Sequence, residues 1–504
     1  MSTSTLPACP RRTALVSSLA CLAFGITTAA AQDSYIVGPR ALGMGGANVA
    51  STDDHTAQFY NPAAFGFFAR RTESGERFGV DNNDIGRKRW GFGVDAGASE
   101  HIQGDMGEYL DHLEQVDRIR TSGINTQDDV RALLDIAQSL AHVADTGNAI
   151  SADFNGGAGV RIGPFGLGVR TYFQGTGRVD QTDFTNLGLG TPVTDADIQS
   201  GGATGDGTIQ VLTPAQQADL GLGLGNAGLN NTSIQVLDLY VRQQGLQNDP
   251  QAIQLMVDSL VQSNAGGGNF NNNQTRVIFR GFGVAEVPLT YGMAITDHLS
   301  VGGSVKLMLG RVYGTSVRVF DDNAGDVLGN ADKNYKQSVN VGLDLGIMAR
   351  IPMLQVGLIG RNLNSPTFEG PTVTDPTTGI TTRFGDVRID PQATLGVAFI
   401  PATTLVLEVD CDLNPAETTL PGYHTQRLGG GIEWNPGHVI ALRAGAYKNL
   451  AENDVPIVFT GGLGFNLYIL RLDLAAAVSP ERTQYQGKDI PKEGRVHFGL
   501  TVDF

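Results

Sequence analysis

The sequence predicts an all-β transmembrane barrel of about fourteen antiparallel strands, with an N-terminal plug segment and two helical extracellular insertions. Three observations predict it: an export signal at the start, alternating runs long enough to cross a bilayer, and connections sorted into short and long by parity.

The export signal reads in order. Arg11 and Arg12 give a positive start, Ala14 to Ile26 is mostly apolar, and Ala29-Ala30-Ala31 offers an A-x-A cleavage site before Gln32. Residues 1–31 therefore read as a signal peptide cleaved near Ala31. A twin-arginine signal is the poorer reading, because Ala14 and Leu15 do not match that pattern. A lipidated Cys21 is poorer too, because Ser18 stands where a lipobox wants leucine. Cys9 and Cys21 leave with the signal, so Cys411 is the one mature cysteine and no disulfide forms within the chain. Beyond Ile26 there is no apolar run of about 18 residues, the minimum for a spanning helix. Such an exported chain is periplasmic, secreted or a β-barrel.

Period-2 alternation decides among these. In the last run Val496, Phe498, Leu500, Val502 and Phe504 share one face, while Arg495, His497, Gly499, Thr501 and Asp503 share the other. Leu405, Leu407, Val409 and Cys411 alternate with Val406, Glu408, Asp410 and Asp412. Val339, Val341, Leu343, Leu345 and Ile347 alternate with Ser338, Asn340, Gly342, Asp344 and Gly346. A strand crosses a bilayer in about 9–11 residues, whereas soluble strands average about five or six. Runs of the longer kind occur at 89–98, 149–162, 166–179, 276–295, 299–314, 337–351, 354–363, 386–399, 403–412, 424–434, 437–447, 457–466, 469–478 and 494–504.

The joins are an independent check. Gly163-Pro164-Phe165, Thr296-Asp297-His298, Pro352-Met353, Ile400-Pro401-Ala402, Asn435-Pro436 and Asn466-Leu467-Tyr468 are tight and follow even-numbered runs. The joins after odd-numbered runs are longer, from about nine residues to more than ninety, as external loops are. A soluble sandwich has no reason to sort its loops this way.

Composition excludes other classes. At 41% hydrophobic residues the chain is no bundle of membrane helices. Its 67 glycines suit turns and close strand packing. A formal charge of −16 argues against nucleic-acid binding, which needs clustered Lys and Arg. The insertions at about 101–147 and 180–272 are helical in pattern. Asp105 to Arg120 places Met106, Tyr109, Leu110 and Leu113 on one face, and Thr126 is a candidate cap for a helix running to Val143. Thr213-Pro214 and Asp249-Pro250 are candidate helix starts in the second insertion. Its Gly266-Gly267-Gly268 and Asn271-Asn272-Asn273 tracts read as flexible ends.

Residues 32–70 do not alternate, so they are not a wall strand. They carry Gly43, Gly45 and Gly46, then Asp53-Asp54, then Asn61-Pro62-Ala63. This stretch resembles the N-terminal plug of the FadL-like outer-membrane barrels. Later pieces resemble one branch more closely, the barrel family named after conjugal transfer protein TraF. These are Glu286-Val287-Pro288-Leu289-Thr290-Tyr291, Leu299-Ser300-Val301-Gly302 with Lys306, Gly360-Arg361-Asn362-Leu363, Pro391-Gln392 before Leu395-Gly396-Val397-Ala398, and Asp410 with Asp412. The resemblance implies that residues 32–70 plug the lumen of a barrel formed by 71–504. Phe59, Tyr60, Phe65, Phe67 and Phe68 need such burial.

Other candidate residues follow from the strands. Pro288 cannot donate to a ladder, so it predicts a kink or bulge, or a lateral opening in the wall. Lys306, Asp344, Glu408, Asp410, Asp412, Arg471, Asp473 and Arg495 should face the lumen. Asp410 and Asp412 are too few donors to predict a cation site, and no His spacing suits zinc. Gly223-Leu224-Gly225-Asn226-Ala227-Gly228 matches G-x-G-x-x-G without a preceding strand, so dinucleotide binding is not predicted. No nucleophile elbow or H-E-x-x-H motif appears, and neither an enzyme nor a cofactor is expected.

The leading expectation is a channel or transporter for small hydrophobic compounds such as fatty acids in the bacterial outer membrane. The alternative is a non-transporting structural component of a conjugal transfer or secretion apparatus. Expected partners are outer-membrane lipid, a hydrophobic small molecule, the barrel assembly machinery through Phe504, and an envelope protein at the helical insertions.

Overall fold

Outward apolar and inward polar residues alternate along strands that close on themselves. The computed structural model describes residues 36–68 and 90–503, apart from 113–114, 116–125, 146, 184–185, 187–191, 267–271, 319–332, 375–378, 380, 455, 468 and 486. The residues expected to form a signal peptide cleaved near Ala31, and Phe504, lie outside the described residues.

Among the described residues fourteen strands form one closed antiparallel barrel. They are β1 Trp90–Gln103, β2 Ala149–Ile162, β3 Phe165–Gln181, β4 Arg276–Ala294, β5 Leu299–Arg318, β6 Tyr335–Ile351 and β7 Leu354–Arg361. The circuit continues with β8 Gln392–Ala402, β9 Leu405–Asp412, β10 Arg427–Trp434, β11 Ile440–Asn449, β12 Val458–Leu467, β13 Leu470–Val478 and β14 Glu493–Asp503. β14 pairs with β1, from Gly91 opposite Asp503 to His101 opposite Glu493, so no edge is left open. No described helix is long and apolar enough to cross a membrane. Pairing between neighbouring strands is how a barrel wall tolerates hydrocarbon.

The predicted runs and the parity of their joins correspond to these strands, with shifts at the ends. The run at 386–399 begins later, at Gln392, and that at 424–434 begins at Arg427. Pro401 lies within β8, where the register shifts between Phe399 and Ala402 rather than turning. Outward residues of β14 such as Val496 and Phe498 are exposed, while Arg495, His497, Thr501 and Asp503 are buried. Phe165, Tyr291, Phe399, Trp434 and Phe465 are exposed on the outside near the short turns. That is the position of an interfacial aromatic girdle.

The two insertions are not separate. α4 Gln127–His142 comes from the first, and α5 Asp195–Ile198, α6 Pro214–Leu220, α7 Asn231–Gln243 and α8 Pro250–Asn264 from the second. Leu133, Ile136 and Leu140 of α4 share one apolar core with Leu220, Leu237, Val241, Ile253, Met256 and Leu260. Thr126 caps α4 in a reciprocal box, accepting from Asp129 N at 3.2 Å while Asp129 accepts from Thr126 N at 2.9 Å. Thr213 and Asp249 cap α6 and α8 ahead of their prolines. His142 ties the insertions together, with Nδ1 2.8 Å from Asp145 and Nε2 2.8 Å from Asp249. Of the tracts read as flexible, 267–271 lies outside the described residues, but Asn273 is buried. Its amide donates to the carbonyls of Asp183 at 3.0 Å and Asn186 at 3.1 Å, which anchors that end.

Candidate functional site

Residues 36–68 lie inside the barrel, and all but Asp53 and Phe67 are buried. Short helices α1 Pro39–Gly43, α2 Ala57–Tyr60 and α3 Ala64–Phe68 punctuate this inner segment. Glycines on both sides bring its backbone against the wall. Gly45 sits at φ +68°, and a Cβ there would overlap the carbonyl oxygens of Ala446 and Gly430. A Cβ at Gly445 would lie 2.6 Å from the Gly45 nitrogen, and one at Gly431 2.7 Å from the Met44 Cα. Gly43 rests on Arg443 and Gly462, and Gly46, at φ +83°, on Arg427. These glycines mark where a second backbone crosses a strand.

The Asn61-Pro62-Ala63 motif is a wall contact. Asn61 Nδ2 donates to Val49 O at 3.3 Å and Ile347 O at 3.1 Å, and its Oδ1 accepts from Ala63 N at 3.1 Å. Ser300 Oγ donates to Ala63 O at 2.6 Å, and Pro62 fills the space above Gly302.

The wall from β9 to β13 holds the segment by charge. Asp410 accepts from the backbone N–H groups of Asn48 at 2.8 Å and Val49 at 2.9 Å. Glu408 accepts from those of Ala50 at 2.7 Å and Ser51 at 3.2 Å, and from the Ser51 hydroxyl. Arg471 pairs with Asp54 and, at 2.8 Å, with Asp473. Arg443 joins Asp473 to Glu433, each at 2.6 Å, and Arg40 reaches Glu433 at 3.1 Å. Buried ions recover their desolvation cost only through such multiple partners, and the geometry they impose is specific.

The remaining lumen charges pair within the wall. Lys306 lies 3.1 Å from Asp344 and donates to Asn362 at 2.6 Å, while the Asn362 N–H donates to Asp344 at 2.8 Å. Asp412 accepts from Thr394 at 2.7 Å and from Arg427 N at 2.9 Å. Arg495 donates to Glu493 at 2.8 Å, as does the Tyr447 hydroxyl at 2.5 Å. Among the described residues no group of three or more His, Cys, Asp and Glu is set to hold a metal ion.

The opposite wall also contributes buried apolar side chains. Phe282 and Val284 of β4, Met308 and Val312 of β5 and Ile359 of β7 are buried in one cluster with Leu42, Val49, Phe59 and Tyr60 of the inner segment. The β7–β8 connection folds inward to join them. Phe368 lies over Gly310 with its ring centroid 5.0 Å from that of Phe282; Val387 and Ile389 belong to the same cluster, as do Tyr447, Val458, Ala475 and Ala477 of β11 to β13. Pro288 of β4 is buried, on the same face as Glu286 and Thr290. It faces Lys306 in unbroken register, so β4 carries no bulge here, contrary to expectation. Its missing donor is felt on the other side. β3 pairs with β4 at Leu167–Leu289 and Arg170–Glu286 in one register, but the two rows between, Gly168 with Pro288 and Val169 with Val287, are unpaired.

The structure thus brings the glycine motif, Asp53-Asp54, Glu408, Asp410, Arg471 and Asp473 together on one side. It puts Pro288, Lys306 and Asp344 on the other. Asp412 and Arg495 touch wall neighbours instead. Sequence reading passed over Arg40, Glu433 and Arg443. The two wall residues were findable, since each stands between outward apolar neighbours, Glu433 between Ile432 and Trp434, Arg443 between Leu442 and Ala444. Arg40 gives no such signal.

Several solved structures are similar to this chain. A deletion mutant of the monoaromatic hydrocarbon channel TodX aligns at TM-score 0.46 and 11% identity, covering 94% of this chain and 100% of that one. The P. putida toluene transporter TodX aligns at 0.42 and 11%, covering 94% and 99%. A Pseudomonas aeruginosa FadL homologue aligns at 0.43 and 11%, covering 95% and 100%. No curated protein matches the sequence. Residues 58–412, from the inner segment to the end of β9, match the family described as F plasmid transfer operon, TraF, protein. The match takes in Asn61-Pro62-Ala63, Pro288, Lys306, Asp344 and Asp410 over more than two thirds of the chain, and the chain, an outer-membrane-type β-barrel, belongs to that family.

Proposed function

We propose that the barrel passes small hydrophobic compounds, such as fatty acids, across the bacterial outer membrane, and that the inner segment closes the lumen between passages. One observation carries this reading. One buried apolar cluster joins Phe368 in the β7–β8 connection to Phe59 and Tyr60, and its members Phe282 and Val284 lie on β4, the strand whose ladder with β3 lacks two rows. An apolar solute could replace such contacts at little cost, whereas the charged wall would resist it. Signal cleavage near Ala31 and recognition of Phe504 by the assembly machinery belong to the same proposal.

Uptake of radiolabelled oleate and toluene by cells with and without the gene tests it. Faster uptake with the gene is expected, and equal uptake would remove the transport reading.

A second reading has its own support. The charged side of the lumen is tightly bonded, and α4 to α8 form a body with its own core at the long-loop end. Both suit a structural component of a conjugal transfer or secretion apparatus. A fall in plasmid transfer on deletion, with uptake unchanged, would favour it.

A further inference from the structure

Between α6 and α7 the chain reads Gly221-Leu222-Gly223-Leu224-Gly225-Asn226. Leu222 is 81% exposed and Leu224 is 107% exposed, the two most exposed large apolar side chains among the described residues. Neither belongs to the lipid-facing belt, so bilayer contact of the wall does not account for them.

The loop is braced rather than loose. Ala227 N donates to Asp219 O at 2.9 Å, Gly228 N to Gly221 O at 3.0 Å and Leu229 N to Leu220 O at 2.9 Å. The Asn226 amide donates to Ala218 O at 2.8 Å, and the Asn264 amide to Asn226 O at 2.7 Å, which fastens the tip to α6 and α8. Glycines alternate with the leucines, and Gly225 takes φ +84°. The result is a narrow ridge with two apolar knobs, already ordered, so little conformational entropy is lost when it binds.

Charge selects the partner. Residues 192–264 hold seven Asp, no Lys or His, and Arg242 alone among cations. Arg242 is itself held between Asp206 at 2.8 Å and Asp238 at 3.0 Å. Asp219 and Asp258 are exposed. A second copy would bring the same carboxylates face to face, and an anionic lipid surface would repel them. We propose that the Leu222–Leu224 ridge anchors this chain to another envelope protein, one with a narrow apolar cleft rimmed by Lys and Arg. Two leucines cannot make a whole interface, so the ridge is the central anchor and the carboxylates meet the rim. The inference is independent of what the lumen carries.

The test uses the full chain in its own membrane, with p-benzoylphenylalanine at Ala218 beside the ridge. Light should give one discrete adduct with a different protein, whose crosslinked peptide combines apolar residues with Lys or Arg. L222S/L224S should lower the yield at least tenfold, D219N/D258N should lower it less, and added salt should lower it too. L222M/L224M should keep the adduct, which separates loss of the apolar surface from loss of fold. An adduct with lipid, an adduct with a second copy, no adduct, or an unchanged yield in L222S/L224S would overturn the proposal.

Discussion

Both sides of the lumen meet the inner segment through hydrogen bonds and strand glycines, but ion pairs to it dominate on one and buried apolar side chains are added on the other. On the β9–β13 side it meets carboxylates and guanidinium groups, and its backbone crosses strand glycines. On the β4–β7 side Phe59 and Tyr60 share an apolar cluster with Phe282, Met308 and Phe368. The first kind of contact is directional and loses a great deal when one partner leaves. The second tolerates sliding and substitution. In the proposed function the charged wall is the mooring and the apolar contacts are the ones that part.

The comparison can be broken at its strongest point. Arg471→Ala leaves Asp54 and Asp473 buried without their shared cation, and should cost about 3–5 kcal/mol. It should free the segment to protease in a barrel that still shows heat-modifiable migration. Phe368→Ala on the apolar side should cost about 3 kcal/mol, but the segment should stay protected and oleate uptake should rise. Gly445→Val drives a side chain into the Gly45 backbone and should cost about 2 kcal/mol, read as a lower unfolding temperature. Gly461→Ala, where a Cβ has its nearest neighbour at 3.9 Å, should be nearly silent.

A further small effect lies in the helical insertions. Burial disfavours a charged His142, but its bonds to Asp145 and Asp249 outweigh that and raise its pKa. A raised folded pKa contributes stability that is complete below the unfolded value near ~6.5 and is lost as pH rises through the folded value. Docking of α4 on α8 should therefore loosen from pH 6 to pH 9, by up to about 1 kcal/mol since the imidazole is partly exposed. Hydrogen exchange in α8 checks it, and His142→Ala should abolish the pH dependence.

The barrel was legible because lipid imposes a strict period of two on every crossing, so Val496, Phe498 and Leu500 declare a face on their own. The strand starts at Gln392 and Arg427 were not, since the preceding residues make short hairpins that alternate equally well. Which lumen charge meets which was illegible. Arg40 and Glu433 are 393 positions apart, and closure of the whole circuit brings them together. Pro288 announced an irregularity, but its form depended on the neighbour. β5 accepts the proline in register while β3 loses two rows. The two insertions each showed helical spacing, yet nothing local says that α4 completes the core of α6 to α8.

The account turns on whether the inner segment must leave the apolar side for solute to pass. A disulfide between Asn61→Cys and Gly346→Cys, with Cys411→Ser, would lock that side, because the Asn61 side chain lies against the space above Gly346. Oleate uptake is then measured in the oxidised and reduced states. Loss of uptake on oxidation and its return on reduction is the predicted result; equal uptake in both states would contradict the account.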